Sequence, residues 1–331
     1  MGRGCAASCA ARAPSAAPDP RPGLGQALLA QIKGGRLPSG CVTNTSEPTG
    51  SGAGRVAVVT GAASGIGLAL SRRFAAEGMR VVLGDLDEEA LDKAAAGLRE
   101  SGATATAIPT DVSDPAAVQR LADRTVAEYG AVHVVCNNAG VAVAGPFAEL
   151  SLERWRWALE VNLCGVINGV RTFLPLLLAQ DDGHIVNTAS SAGLSGSAFM
   201  GPYCATKFAV VGLSESLWHE LAQLNSRVGV SVLCPGYVRT RIADSERSRP
   251  DYVEPPQPWS RPPTGRPSGR DMVASGIEPD TVADAVWSAI RERRFYVLPH
   301  ERAAVSATAR RLAWMLGGPP PALRAEEFSR P

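Results

Sequence analysis

The chain has 331 residues, of which 45% are hydrophobic and 20% are charged, and its formal net charge is +1. This composition is ordinary for a globular protein, and the balanced charge gives no reason to expect nucleic acid or an anionic membrane as a partner. The longest apolar stretch, Val161 to Ala179, is interrupted by Asn162, Asn168, Arg171 and Pro175. We therefore predict a buried helix there and no integral membrane segment.

Residues 1–54 are rich in Ala, Gly, Pro and Ser, and the first acidic residue is Asp19. Such a composition predicts a disordered N-terminal extension. Two other interpretations stay open. The early Arg3 and Arg12 fit an organelle-targeting peptide, although the amphipathic helix of such peptides is missing. Alternatively, the start codon is assigned too far upstream.

From Arg55 onward, short apolar strands alternate with helices. The predicted strands are Val56–Val59, Arg80–Leu83, Thr104–Pro109, Val132–Cys136, His184–Thr188 and Val228–Leu233. The predicted helices are Leu68–Glu77, Asp87–Arg99, Asp114–Tyr129, Ser151–Gln180 and Tyr203–Gln223. Fully apolar strands separated by helices pair in parallel and are buried on both faces. The predicted fold is therefore an α/β doubly wound (Rossmann-type) parallel sheet with helices on both faces, in a single domain over residues 55–300.

The C-terminal third is less regular. Residues 241–275 are crowded with Arg, Pro and Ser, which predicts a mobile substrate lid or, alternatively, simple disorder. A helix Asp280–Arg291, with Asp280 as its N-cap, and a strand Phe295–Leu298 follow. Beyond residue 300 we predict a helix Ala303–Leu316 and a Pro-rich tail. This helix is expected to pack on the domain, with membrane contact through Trp314 and Met315 as the alternative.

The seven cysteines form no Cys-x-x-Cys or Cys/His pattern, so no metal site is expected. Four of them lie in apolar segments, namely Cys136, Cys164, Cys204 and Cys234. Buried, reduced thiols are therefore expected, which fits a cytoplasmic location.

A glycine-rich turn, Thr60-Gly-Ala-Ala-Ser-Gly-Ile-Gly67, joins the first predicted strand to the first helix. Gly61 permits the tight turn, Gly65 lets the backbone approach a ligand, and Gly67 allows close helix packing. The amides at the helix N-terminus then face an anion. The turn lacks the Gly-Lys-Ser/Thr ending of a nucleoside-triphosphate loop, so it favours a dinucleotide.

Asp85 ends the second predicted strand, 18 residues after Gly67. A carboxylate there can accept hydrogen bonds from ribose hydroxyls and would repel a 2′-phosphate. The next residue is Leu86, and no Arg or Lys lies in the glycine turn. We therefore predict NAD as the cofactor, with NADP less favoured. The alternative is that Asp85 only ends a strand at a turn.

Tyr203 and Lys207 lie four residues apart and share one face of the predicted helix. An ammonium beside a phenol lowers the pKa of the phenol, so the pair is a candidate acid/base centre. A chance pairing is the alternative. Asn162 is a second candidate, because an amide inside a helix needs a buried partner.

Together these motifs resemble the short-chain dehydrogenase/reductase family over Arg55 to Thr240. The matching segments, in family order, are the Thr60–Gly67 turn, Asp111, Asn137-Asn-Ala-Gly140, Asn162, Ser190, the Tyr203/Lys207 pair and Pro235-Gly236. The resemblance implies hydride transfer between NAD and a secondary alcohol or ketone, and a homodimer or homotetramer paired through the two long helices.

The resemblance also implies residue roles. Tyr203 would exchange a proton with the substrate oxygen, and Lys207 would lower its pKa and bind the nicotinamide ribose. Ser190, preferred over the adjacent Ser191, would donate to the substrate oxygen, and Asn162 would hold a water. The implied cofactor-binding residues are Gly61, Ser64, Gly65, Ile66, Gly67, Asp85, Asp111, Val112, Asn138, Ala139, Gly140, Tyr203, Lys207, Pro235, Gly236, Val238 and Thr240.

The substrate is less defined by the sequence. Apolar residues in Val141–Phe147 and Leu194–Met200 suggest an apolar small molecule, although ordinary loop packing explains them equally well. An active oxidoreductase is the first functional hypothesis. A catalytically silent dinucleotide-binding sensor or scaffold is the second, because a fold does not fix a function.

Overall fold

The computed structural model describes residues 52–260 and 268–321. Most of the predicted N-terminal extension, residues 261–267 of the predicted lid and the end of the Pro-rich tail lie outside these ranges. The predicted strands and helices between Val56 and Met315 can all be compared with the structure.

Within the described residues, seven parallel strands form one sheet in the order β3-β2-β1-β4-β5-β6-β7. The strands are β1 Val56–Thr60, β2 Arg80–Asp85, β3 Ala105–Pro109, β4 Val134–Asn137, β5 Gly183–Thr188, β6 Val228–Leu233 and β7 Tyr296–Val297. The order reverses between β1 and β4, which opens a crevice at the carboxyl ends of the strands. The predicted parallel, doubly wound sheet is confirmed.

Helices cover both faces of the sheet. They are α1 Gly65–Ala76, α2 Glu88–Glu100, α3 Pro115–Tyr129, α4 Leu152–Leu159, α5 Gly165–Gln180, α6 Gly201–Gln223, α7 Gly269–Ala274, α8 Pro279–Glu292 and α9 Glu301–Met315. Successive side chains of β1 point to opposite faces, so Val59 packs in the core with α1, α2 and α8, while Val58 packs with α3, α5 and α6.

Several element boundaries differ from the sequence prediction. The long helix is interrupted by a π-helical turn, Glu160–Cys164, which separates α4 from α5. The N-cap of α8 is Glu278 and not Asp280, because Pro279 occupies the first helical position, where its fixed φ and missing amide are suited. The last strand is only two residues long, Tyr296–Val297.

The stretch Leu152–Gln180 is the one described helix that is long and apolar enough to cross a membrane by length and composition. Phe173 and Leu177 of this stretch are fully buried in the core beside the sheet. This is the packing of the predicted core helix. The expectation of buried thiols is wrong for Cys164, which is exposed, while Cys136, Cys204 and Cys234 are buried.

Candidate active site

A large cleft opens at the carboxyl edge of the sheet, with a volume of about 1480 Å³. Of the residues assigned to the site from the sequence, all except Gly67 and Asn162 line it. These two lie behind the wall of the cleft, where each packs against a residue that lines it. The cleft is larger than the pocket of a small ligand, as expected where a dinucleotide and a substrate share one space.

The glycine-rich turn forms one end of the cleft. Gly61 and Gly65 have φ angles of +65° and +54°, in the region that favours glycine. A Cβ on Gly67 would lie 2.1 Å from the carbonyl oxygen of Gly61, and no side chain fits there. The three glycines therefore have separate steric reasons to be in the turn.

The N-terminus of α1 is open to a ligand. Its N-cap Ser64 makes no side-chain hydrogen bond to the first turn, and no acidic residue lies in that turn within the described chain. The amides of the first turn, which have no partner inside the helix, remain available to an anion. Because Gly65 brings the backbone to the cleft surface, this end fits the pyrophosphate of a dinucleotide.

Two carboxylates stand beyond the turn, at the ends of β2 and β3. Asp85 accepts a hydrogen bond from the Ala63 amide at 3.0 Å and another from the Asp87 amide at 3.1 Å. Asp111 accepts from the amide and the hydroxyl of Ser113, at 2.9 and 2.7 Å. Both carboxylates are thus held in place by backbone donors and line the cleft.

Asn138 uses its polar groups to join three strand ends. Its backbone amide donates to Oγ1 of Thr60 at 2.9 Å, and its side-chain amide donates to the Thr60 carbonyl at 3.0 Å. Its Oδ1 accepts from the hydroxyl of Thr188 at 3.3 Å. The sequence assigned Asn138 to the cofactor, whereas its side chain is already engaged in holding β1, β4 and β5 together.

Lys207 lines the cleft, and 3% of its surface is exposed. Its Nζ donates to the carbonyl oxygen of Thr188 at 2.9 Å and lies 5.6 Å from the centre of the Tyr203 ring. Burial lowers the pKa of Lys207 to about 8, because the charged form is poorly solvated there. The shared helix face predicted for this pair is present.

The pKa of Tyr203 shifts in the direction opposite to the one predicted from the presence of Lys207. Burial raises the pKa of the Tyr203 phenol, and a hydrogen bond with Ser190 lowers that pKa only in part. The Tyr203 pKa therefore lies above its ordinary value, and not below it as predicted, because loss of solvation is the larger effect. The phenol carries its proton at neutral pH.

Ser190 and Ser191 differ in what they contact. The Ser190 side chain is 93% buried and accepts a hydrogen bond from the Ala192 amide at 3.1 Å. It is the serine that hydrogen-bonds the Tyr203 phenol. Ser191 is half-buried, and its backbone amide donates to the Pro235 carbonyl at 2.8 Å.

Asn162 lies on the π-helical turn and is fully buried. Its Oδ1 accepts from the Val141 amide at 2.8 Å, and its Nδ2 donates to the Val141 carbonyl at 2.9 Å and to the Thr206 hydroxyl at 3.3 Å. The buried partner that the sequence required is the loop after β4. A Cβ on Gly140 would lie 3.1 Å from this Oδ1 and 3.5 Å from Nζ of Lys207.

The first part of the predicted lid is tied to the rest of the domain. The hydroxyl of Ser245 accepts from the Ala142 amide at 2.8 Å. Arg154, only 6% exposed, forms an ion pair with Glu246 and donates to the Glu254 carbonyl at 3.0 Å. Ser245 and several of its neighbours in this segment line the cleft.

The C-terminal helix α9 forms a further wall that sequence reasoning missed. Its residues Ala307, Arg310, Arg311, Trp314 and Met315 line the cleft. From the sequence we predicted only that this helix packs on the domain or contacts a membrane. The residue pattern of one helix does not show which distant part of the chain it will face. The apolar residues at its end were the available signal.

Comparison with known proteins agrees with the family resemblance seen in the sequence. The sequence model of the short chain dehydrogenase family matches residues 55–251. The 1-deoxy-11-beta-hydroxypentalenate dehydrogenase of Streptomyces exfoliatus is 40% identical over 254 residues, which cover 76% of this chain and 85% of that protein.

Two solved structures are also similar. A short chain dehydrogenase/reductase from Burkholderia phymatum in complex with NAD has 40% identity and a TM-score of 0.76, over 83% of this chain and 99% of that one. A metagenomic short-chain oxidoreductase in complex with NADP has 31% identity and a TM-score of 0.59, over 75% of this chain and 97% of that one. Neighbours of this chain therefore bind either dinucleotide.

Replacing Gly67 by alanine is expected to weaken NADH binding about tenfold or more, because the new Cβ would lie 2.1 Å from the Gly61 carbonyl and the turn would have to move. The dissociation constant can be measured by fluorescence titration. The control is Gly97→Ala on α2, where the added Cβ has open space. That variant should bind NADH normally and gain about 0.5–1 kcal/mol of stability. Unchanged affinity in Gly67→Ala would contradict the role of this glycine.

Proposed function

Because the chain belongs to the short-chain dehydrogenase/reductase family, we propose that it transfers a hydride between NAD(H) and a secondary alcohol or ketone, with Tyr203 as the acid/base. It is an oxidoreductase of that family, with a nicotinamide dinucleotide as cofactor. The observation that carries the proposal is the meeting of Tyr203, Lys207 and Ser190 in one cleft with an uncapped helix N-terminus. The hydroxyl-bearing substrate named for the Streptomyces exfoliatus relative agrees with it.

The residues present fit a dinucleotide. The glycine turn and the first amides of α1 would hold its pyrophosphate, Asp85 its adenosine ribose, and Lys207 its nicotinamide ribose. When bound, the cofactor supplies or accepts the hydride. This protein supplies the proton, the charge stabilisation and the positioning.

In the direction of ketone reduction, Tyr203 donates its phenolic proton to the substrate oxygen as that oxygen becomes a hydroxyl. In the direction of oxidation, the phenolate takes the proton back. Ser190 donates a hydrogen bond to the oxygen, on which negative charge grows in the transition state. The raised pKa of Tyr203 opposes loss of the proton. The Lys207 ammonium, whose Nζ lies 5.6 Å from the centre of the ring, offsets part of this cost by stabilising the phenolate.

The hydrogen bonds of Asn162 restrict how it can hold the water that the resemblance implies. Both of its amide hydrogens are in use, on Val141 and Thr206. A water in the proton path could therefore bind this residue only by donating, to the free lone pair of Oδ1 or to the backbone carbonyl. Asn162 also fixes Val141, which lines the cleft.

The predicted homodimer or homotetramer and the predicted cytoplasmic location stay predictions of the resemblance. In support of pairing through the long helices, Leu159 and Leu178 are each 37% exposed on α4 and α5. A second copy would cover such apolar surface.

The main test of the function is turnover of a panel of ketones and alcohols, followed at the nicotinamide absorbance band. Tyr203→Phe is expected to lower kcat about 10²- to 10⁴-fold with NADH binding retained, because only the proton donor is lost. Ser190→Ala should also lose activity, while Ser191→Ala, the matched control, should keep it. The reverse result for the two serines would sink the assignment of Ser190. NADH binding without turnover on the whole panel would favour a silent sensor or scaffold.

Cofactor preference provides a separate test. We expect a higher kcat/KM with NADH than with NADPH, because the Asp85 carboxylate repels a 2′-phosphate. Asp85→Asn keeps an acceptor for the Ala63 amide and removes the charge, so it should narrow the preference by about tenfold, equivalent to about 1.4 kcal/mol. A wild-type preference for NADPH would contradict this proposal.

The pH dependence follows from Lys207. The kcat/KM for ketone reduction should fall as the pH rises through about 8, where Lys207 loses its proton and no longer stabilises the phenolate. In Lys207→Arg the guanidinium keeps its charge, so this fall should disappear even where the maximal rate is lower. A fall at the same pH in both proteins would assign it to another group.

A further inference from the structure

We propose that the substrate end of the cleft binds an amphipathic molecule through its anionic group, and that Arg311 on α9 contacts that group. The inference rests on the proposed function, since it takes this cleft as the place of hydride transfer. It goes further by defining the chemical class of the substrate.

Acidic and basic side chains line different parts of the cleft. Among the described residues that line it, the acidic ones are Asp85 and Asp111, both at the ends of β2 and β3. The remaining walls carry five arginines and no carboxylate in the described part of the chain. They are Arg241, Arg247, Arg270, Arg310 and Arg311.

Most of these arginines are already engaged or lie toward the cofactor. Arg270 forms an ion pair with Asp244, and Arg247 donates to the carbonyls of Arg241 and Asp244. Arg241 follows Thr240. The Thr240 side chain would lie 3.0 Å from a Cβ atom added to Gly65. Arg241 is thus close to the dinucleotide turn.

Arg311 is different. Its guanidinium lies 4.9 Å from the centre of the Phe208 ring, and the residue is half-buried. No ion pair joins it to a carboxylate of the described chain. Phe208 directly follows Lys207, so the cation is held near the catalytic helix. A half-buried cation that packs on an aromatic ring, and that no carboxylate of residues 52–260 and 268–321 pairs with, is well placed to bind an anion.

The cleft that Arg311 lines also carries apolar side chains. Phe199 and Trp259 stack with their ring centres 5.1 Å apart, and both line the cleft. Trp314 and Met315 line it from α9 and are 53% and 70% exposed. Aromatic rings and thioethers bury apolar groups of varied shape. The cleft therefore offers apolar surface for the body of a substrate, part of it on α9 beside Arg311, and a guanidinium fork for a carboxylate or phosphate.

The test compares a medium-chain oxo fatty acid with its methyl ester, which differ in charge. Steady-state kinetics with NADH, and calorimetric binding to the protein saturated with NAD, are measured for wild type, Arg311→Gln and Arg302→Gln. Arg302 is the matched control, because it is exposed on the same helix and does not line the cleft. Thermal unfolding confirms that each variant is folded.

We expect wild type to favour the acid over the ester about tenfold in kcat/KM and in affinity, as one charge-assisted hydrogen bond provides. Arg311→Gln should remove this preference, Arg302→Gln should keep it, and added salt should weaken it. Inhibition by an alkyl carboxylate and an alkyl phosphate of equal chain length identifies which anion is preferred.

Equal values for the acid and the ester in wild type, or a preference that persists in Arg311→Gln, would overturn the inference. Turnover of the ester without any preference would leave the proposed function standing. Absence of turnover on both compounds would count against the proposed function, and the calorimetric comparison would still decide the inference.

Discussion

The contact on which the site depends is the hydrogen bond from Nζ of Lys207 to the carbonyl oxygen of Thr188. It ties the start of α6 to the carboxyl end of β5, and therefore sets where Tyr203 stands over the sheet. The approach is close, since a Cβ on Gly193 would lie 2.6 Å from the Lys207 carbonyl. A buried ammonium needs such an acceptor, because water is not there to solvate it.

The same burial sets the protonation of the pair. It lowers the pKa of Lys207 and raises the pKa of Tyr203, so each group moves toward its neutral form. Tyr203 is thus neutral in the protein alone, whereas Lys207, with a pKa of about 8, is still mostly charged at neutral pH. A donor such as Ser190, together with ligands that alter the local charge, then decides how readily the phenol exchanges its proton.

Much of the fold and of the site followed from local pattern. The apolar strands predicted the parallel sheet, and the glycine turn predicted an open helix N-terminus beside Asp85, since strand ends converge at one edge. The sequence did not predict the π-helical turn under Asn162 or the N-cap at Glu278. Both features depend on tertiary contacts of the backbone groups. Intrinsic helix propensity is only a weak guide to such contacts.

By itself, the sequence determined the strand and helix pattern, and hence the edge at which Ser190, Tyr203 and Lys207 meet. Only the tertiary structure decided the direction of the Tyr203 pKa and the place of α9 on the cleft wall. The physical reason is that periodicity and turn chemistry act over a few residues, whereas burial is summed over groups distant in the chain. Arg311 illustrates this difference. Its proposed role depends on its contact with the Phe208 ring, and the sequence does not show that contact.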